Sequence, residues 1–240
     1  MKAFVTGASR GIGLEICKQL AKAGYKVIGV CRDSEKKRSS FWQENNDGHM
    51  LFSLDITNHD DVSDFFALNF LLLDSIDVLV NNAGITQDSM FHKMSYEQWV
   101  SVINTNLTAL FSITQPIYLS MKENNTGRII NISSVNAQKG QAGQTNYCAT
   151  KSGVHGFTKS LALEAARHNI TVNTISPGYT NTSMIDAIRE DIKEKIETSI
   201  PLKRFATPFE IAKAVCYLVS DDAAYITGTE LSVNGGLFIG

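Results

Sequence analysis

The sequence has no stretch able to cross a bilayer, no cysteine pair and no surplus of charge. Its longest apolar run, Phe65 to Leu73, is interrupted by Asn69, whereas a spanning helix needs ~20 apolar residues. The four cysteines, Cys17, Cys31, Cys148 and Cys216, are scattered. That spacing suggests neither a metal knot nor a redox dithiol. Cys17 and Cys216 fall on apolar helical patterns and are expected to be buried free thiols. A formal charge of −2 gives no argument for nucleic acid or an acidic membrane as a partner. Internal repeats, low-complexity tracts and linkers are also missing. The first strand starts almost at Met1, which leaves no room for a signal peptide, and unpaired thiols fit the cytosol.

What is present is 240 residues, 43% hydrophobic and 19% charged, ordinary values for a soluble globular chain. One α/β domain, or at most two small ones, is expected, burying roughly three quarters of the unfolded surface. Short apolar runs at Ala3–Val5, Lys26–Val30, Leu51–Leu54, Val78–Val80, Arg128–Ile132, Thr171–Ile175 and Leu231–Val233 have the character of buried parallel strands. Helical patterns lie between them. One runs from Ile12 to Ala23 and is closed by Gly24; a polar one reaches about Asn46. A third runs from the cap Asn58 to about Leu73. A fourth runs from the cap Ser95 to about Met121, where Pro116 should bend it or mark its last turns. The helix of Tyr147 reaches about His168, residues 181–200 are amphipathic through Ile185, Ile188, Ile192 and Ile196, and Pro208 opens a helix that ends near Ser220. Alternation of this kind predicts a doubly wound, Rossmann-type α/β fold with a seven-stranded parallel sheet and helices on both faces.

The first strand feeds Thr6-Gly7-Ala8-Ser9-Arg10-Gly11-Ile12-Gly13. Glycines between a strand and a helix let the backbone turn tightly and approach a pyrophosphate, whose charge meets the helix N-terminus. The end of the second strand bears on which dinucleotide is bound. An NAD site places a carboxylate there for the ribose 2′-hydroxyl; this chain has Cys31 followed by Arg32. A guanidinium suits a 2′-phosphate, with Arg10 as a second candidate, so NADPH/NADP is the expected cofactor. Asp33 tempers this unless it caps the next helix. Lys36, Lys37 and Arg38 form a solvated face, from which Arg38 could swing in.

Tyr147 and Lys151 lie one helical turn apart. An ammonium beside a phenol, whose ordinary pKa is ~10, favours the phenolate and makes the phenol a better proton donor. Alone, the pair is an ordinary surface pair. Ser134, a hydroxyl at the end of the fifth strand and thirteen residues earlier, gives it company. Together with the glycine turn these residues describe a nicotinamide-dependent carbonyl reductase.

The combination resembles the short-chain dehydrogenase/reductase family over the whole chain. The resemblance implies one domain over 1–240, with a cofactor half to about 125, a catalytic and substrate half from about 126, and strand order 3-2-1-4-5-6-7. It implies that Ser134 donates to the ketone oxygen, Tyr147 protonates it, Lys151 binds the nicotinamide ribose and lowers the phenol pKa, and Asn106 holds a proton-relay water. The implied cofactor contacts include Gly7, Ser9, Arg10, Gly11, Ile12, Gly13, Arg32, Asp55 at the adenine, and Asn82, Ala83 and Gly84 at the adenosine ribose. Pro177, Gly178, Thr180 and Thr182 would cover the carboxamide. Within the family, Gln141, Gln144, Tyr179, more weakly Asp88, and the C-terminal Asn234-Gly235-Gly236-Leu237 resemble the NADPH-dependent reductases of acetoacetyl-CoA. These make (R)-3-hydroxybutyryl-CoA, the branch of polyhydroxybutyrate synthesis. An acyl-CoA thioester is thus the expected small-molecule partner, and a homotetramer the usual assembly. Reduction of acyl-carrier-protein thioesters and a catalytically silent NADP scaffold are the alternatives. Carrier-protein reductases of the family commonly carry arginines, flanking the active-site mouth, at positions that are Asn125 and His168 here. CoA is therefore expected over carrier protein.

Overall fold

The computed structural model describes residues 1–33, 39–43, 48–186 and 189–240. The first half comprises β1 (Lys2–Thr6), α1 (Gly11–Lys22), β2 (Lys26–Cys31), α2 (Ser40–Gln43), β3 (Met50–Ser53), α3 (His59–Leu68), α4 (Phe70–Leu73) and β4 (Val78–Asn81). Then come α5 (Tyr96–Ile103), α6 (Ala109–Asn124), β5 (Gly127–Ile132), α7 (Val135–Lys139), α8 (Thr145–Ala165) and β6 (Ile170–Pro177). The chain closes with α9 (Ser183–Asp186), α10 (Glu190–Ser199), α11 (Pro208–Val219) and β7 (Glu230–Val233). The strands form one sheet, β3-β2-β1-β4-β5-β6-β7, parallel throughout.

Side chains of successive strand residues point to opposite faces, and both faces here are apolar. Phe4, Ile28, Leu79, Ile129 and Val172 pack with Phe65, Ile113, Ile117 and Met121 of α3 and α6. Their neighbours Val5, Val27, Val80 and Ile130 pack on the other face with Ile16 and Leu20 of α1 and Ile211 and Val215 of α11. Each fully buried Leu or Ile contributes ~1.5–3 kcal/mol. Towards the strand ends the core turns polar. The Asn81 amide donates to Thr114 Oγ1 (3.0 Å) and Asn131 Oδ1 (2.8 Å), and Asn131 donates to Thr158 Oγ1 (2.9 Å). Buried amides tolerate such a position because they are paired, and this row underlies the site.

Three helices expected to be continuous are interrupted. Asn69 turns its amide onto the Phe65 carbonyl at 2.8 Å, which competes with the helix ladder and separates α3 from α4. The helix expected from Ser95 to Met121 contains a π-turn, Asn104–Thr108, between α5 and α6. Pro116 lies inside α6, which continues to Asn124. The segment 181–200 is split at Arg189, whose backbone is extended (φ −60°, ψ 145°). Ile188, the reach of the polar helix to Asn46, and Lys36, Lys37 and Arg38 fall outside the described residues. Ser95 with Gln98 and Thr207 with Glu210 form capping boxes, the second with Pro208 in the first turn. Cys216 is half-buried rather than buried.

Candidate active site

The strands end at a cleft of about 720 Å³ lined by residues from both halves of the sheet. At one end is the glycine turn. Gly7 and Gly11 have φ of +67° and +55°, which only glycine adopts freely. A Cβ on Gly13 would stand 2.3 Å from the Gly7 carbonyl oxygen and 2.4 Å from Asn82 Nδ2. Asn82 donates through Nδ2 to Thr6 O (2.9 Å) and Gly7 O (3.3 Å), while Thr6 Oγ1 accepts the amides of Asn82 and Ala83 (both 3.0 Å). The motif after β4 therefore straps the turn to its neighbour. Arg10, the N-cap of α1, is extended and makes no side-chain cap bond, and the first turn of α1 carries no acid. Such an end is suited to an anion. Trp42 closes the back of the turn, its Nε1 donating to Ala8 O at 3.2 Å, and any side chain on Gly29 would strike its ring.

Ser9, Arg10, Gly11, Ile12, Cys31, Arg32 and Asp55 line the cleft, as do Pro177, Gly178, Thr180 and Thr182, and a Cβ on Gly11 would stand 3.4 Å from Thr182 Cγ2. Asp55 is pushed up by partial burial. The opposing hydrogen bonds from Thr57 (2.7 and 3.0 Å) and the charge of Arg32 outweigh this, so it stays below the usual carboxylate range. Gly178 lies where a Cβ would meet the Asn234 backbone at 2.8 Å. The C-terminal Asn234-Gly235-Gly236 segment thus packs beneath the β6 loop.

Ser134, Tyr147 and Lys151 meet in the same cleft. Ser134 caps α7, its hydroxyl accepting from Asn136 N at 3.1 Å. Burial pushes the Tyr147 phenol up to about 12, opposed by a hydrogen bond with Ser134. Burial brings Lys151 down to about 8. Its Nζ donates to Ile132 O at 2.7 Å and lies 5.8 Å from the Tyr147 ring centroid. Desolvation outweighs the influences that lower the phenol pKa in this cleft. Asn106 sits on the π-turn, 2% exposed. Its side chain accepts from Ile85 N (2.8 Å) and donates to Ile85 O (2.9 Å) and Thr150 Oγ1 (3.3 Å). Both Nδ2 hydrogens are thus used, while Oδ1, which accepts only from Ile85 N, keeps a second lone pair. A Cβ on Gly84 would contact Asn106 Oδ1 at 3.3 Å and Lys151 Nζ at 3.4 Å. Gly84 thus adjoins the catalytic candidates rather than the glycine turn alone.

The substrate candidates divide. Asp88 accepts from Gln144 Nε2 at 2.7 Å, and Gln144 Oε1 accepts from Asn136 at 2.9 Å. A relay thus runs from the mouth to the residue that bonds Ser134. Tyr179 lines the cleft and packs against Phe205 with ring centroids 6.2 Å apart. Gln141 does not line the cleft; its side chain is exposed and accepts from Lys139 Nζ at 3.0 Å. Asn125 and His168 precede β5 and β6. They lie at the edge where strands begin, and α8 separates that edge from the cleft by ~30 Å, so neither borders the mouth within one chain. Asn136, Trp42, Phe205 and Asn146 escaped the sequence reading. Asn146 is fully buried, bonds Gln87 O and Gln98 O (3.1 and 3.3 Å) and accepts from Tyr147 N (2.8 Å). Only the Asn preceding the tyrosine, a polar residue in a helix entry, was visible as a signal.

The model of the family described as Enoyl-(Acyl carrier protein) reductase matches residues 7–238. The chain is 53% identical to the acetoacetyl-CoA reductase of Acinetobacter sp. (strain RA3849), covering 99% of this chain and 97% of that one. It is 47% identical to the acetoacetyl-CoA reductase of Rhizobium meliloti (strain 1021), over 98% of each. To nodulation protein G of Azospirillum brasilense it is 49% identical, over 98% of this chain and 97% of the other.

Proposed function

The chain belongs to the short-chain dehydrogenase/reductase family, and from that premise we propose that it is an acetoacetyl-CoA reductase, reducing acetoacetyl-CoA to (R)-3-hydroxybutyryl-CoA with NADPH. What carries this is one cleft with an anion-binding glycine turn at one end and the Ser134–Tyr147–Lys151 group at the other, in a chain similar to several acetoacetyl-CoA reductases.

The residues present fit a dinucleotide. The cap of α1 is open, and the cradle at Gly7 and Gly13 is one that a Cβ would fill. Arg10 and Arg32 stand at its rim, where they favour the 2′-phosphate of NADPH over the hydroxyl of NADH. When bound, the nicotinamide supplies the hydride. Ser134 and Tyr147 present hydroxyls to the ketone oxygen, where charge develops as the carbonyl is reduced. Tyr147, a protonated phenol at neutral pH, gives that oxygen its proton. Lys151 holds the ribose hydroxyls and, as an ammonium, eases proton release from the phenol. Asp88 and Gln144 orient the thioester arm, and Tyr179 closes over it.

The product suits polyhydroxybutyrate synthesis. Free thiols at Cys17, Cys31, Cys148 and Cys216 support a cytoplasmic location. Exposed Phe111 and Leu119 on α6 and Leu163 on α8 support a homotetramer. Initial rates measured side by side with acetoacetyl-CoA and acetoacetyl-acyl-carrier protein test the substrate. The CoA thioester should be preferred, with a carrier-protein rate that changes little with salt. A carrier preference at low salt that fades as salt rises would overturn the assignment.

A further inference from the structure

Three consecutive residues at the end of β5 are tied to α8. Ile132 O accepts from Lys151 Nζ at 2.7 Å, Ser133 Oγ donates to Lys151 O at 2.9 Å, and Ser134 bonds Tyr147. The outer two rungs belong to the proposed chemistry. The middle one has a further partner: Ser133, 3% exposed, also lies 2.7 Å from His155 Nε2. His155 is one turn beyond Lys151 on α8.

The protons of this cluster can be assigned. Ser133 has a single hydroxyl proton, which goes to Lys151 O. Its contact with His155 must then be made by an N–H on Nε2. The same Nε2 lies 3.1 Å from Glu230 Oε1 on β7, and Ser176 Oγ on β6 donates to that oxygen at 2.6 Å. A carboxylate oxygen at that distance repels a bare Nε2 lone pair and so favours hydrogen on Nε2. With the other tautomer, Ser133 would turn its proton to the imidazole and release Lys151 O.

We propose that Glu230 and His155 are positioning residues for the reduction. Glu230 fixes the His155 tautomer, the tautomer commits the Ser133 proton to Lys151 O, and this bond holds the Tyr147–Lys151 helix in register with Ser134. The assignment rests on the reductase function above, since Ser134, Tyr147 and Lys151 are what it aligns. The titratable groups facing His155 are Glu230, Lys159 and Lys151. Burial and the two lysines disfavour its charge, while Glu230 favours it.

The test uses Glu230→Gln, which keeps the shape but can donate as well as accept, with His155→Gln and His155→Leu beside it. Nitrogen-15 spectra of histidine-labelled protein, with His155 assigned from the variants, distinguish the two ring nitrogens. The wild type should show one tautomer, protonated at Nε2, between about pH 7 and pH 9. Glu230→Gln should show a mixture, with kcat reduced about 10- to 100-fold through misalignment and the KM for acetoacetyl-CoA and Kd for NADPH unchanged. His155→Gln, whose amide donates from a similar place and has no tautomers, should keep most of the rate; His155→Leu should not. A single Nδ1-protonated form in the wild type would overturn the proposal. So would an unmixed tautomer with unchanged kcat in Glu230→Gln, or equal losses in His155→Gln and His155→Leu at equal Tm. The spectra need no substrate. Absent acetoacetyl-CoA activity in the wild type would refute the function alone, while the tautomer result would still decide the relay.

Discussion

The two ends of the cleft are built by opposite means. The cofactor end is made by leaving side chains out. Gly7 and Gly13 allow close approach of the Asn82–Ala83 segment and of the turn's own backbone, and any Cβ at Gly13 would fall 2.3 Å from the Gly7 carbonyl. The catalytic end is made by burying polar side chains and pairing them, as with Asn106 on Ile85, Asn146 on Gln87 and Gln98, and Lys151 on Ile132. Steric exclusion at the turn shows in the identity of the glycines themselves, even where the excluding atom, as with Asn82 at Gly7 and Gly13, comes from far along the chain. Satisfaction of buried polar groups depends on partners far along the chain.

If the two ends are separable, they should break separately. Tyr147→Phe removes the proton donor and keeps the ring. Turnover should fall ~10²–10⁴-fold with the Kd for NADPH nearly unchanged, as read by cofactor fluorescence and initial rates. Loss of cofactor binding in this variant would join the two ends. Gly13→Ala attacks the other end. It should lower stability by ~1–3 kcal/mol, since backbone rather than a flexible side chain meets the new methyl, and should weaken NADPH in step; thermal melts with and without cofactor report both. Arg32→Ala should weaken NADPH about tenfold more than NADH, because only NADPH carries the 2′-phosphate. An equal loss for both would leave Arg10 as the phosphate contact. The smallest contrast lies at the mouth. Gln144→Ala, which severs the Asp88–Asn136 relay, should raise the KM for acetoacetyl-CoA several-fold, whereas Gln141→Ala should change it by less than about twofold, as for an ordinary surface site.

This contrast also explains what could be foreseen. The alternation of apolar runs and helical patterns predicts the parallel sheet and its seven strands. Glycines in a strand–turn–helix context mark the proposed anion site, because φ > 0 and close backbone approach leave a residue-level trace. Ser134, Tyr147 and Lys151 were found through a family pattern, and the spacing alone would not have distinguished them from a surface pair. The π-turn at Asn104–Thr108 left no periodic signal, and the bonds its Asn106 makes to Ile85 join residues 21 apart. Ser134 as the cap of α7 and Asn136 as the link to Gln144 left no periodic signal. Gln141 and Gln144 are alike in the sequence, and only the position of Asp88, 56 residues before Gln144, separates them. Helical spacing shows the proximity of Lys151 to Tyr147 but not the desolvation that pushes the phenol up.

The central claim is that the two ends work together as a reductase rather than forming a silent nucleotide-binding scaffold. The direct measurement is NADPH absorbance in a mixture of the purified chain and NADPH on addition of acetoacetyl-CoA. Absorbance should fall steadily, with one 3-hydroxybutyryl-CoA formed for each NADPH consumed. NADPH that binds but is not oxidised would contradict the account.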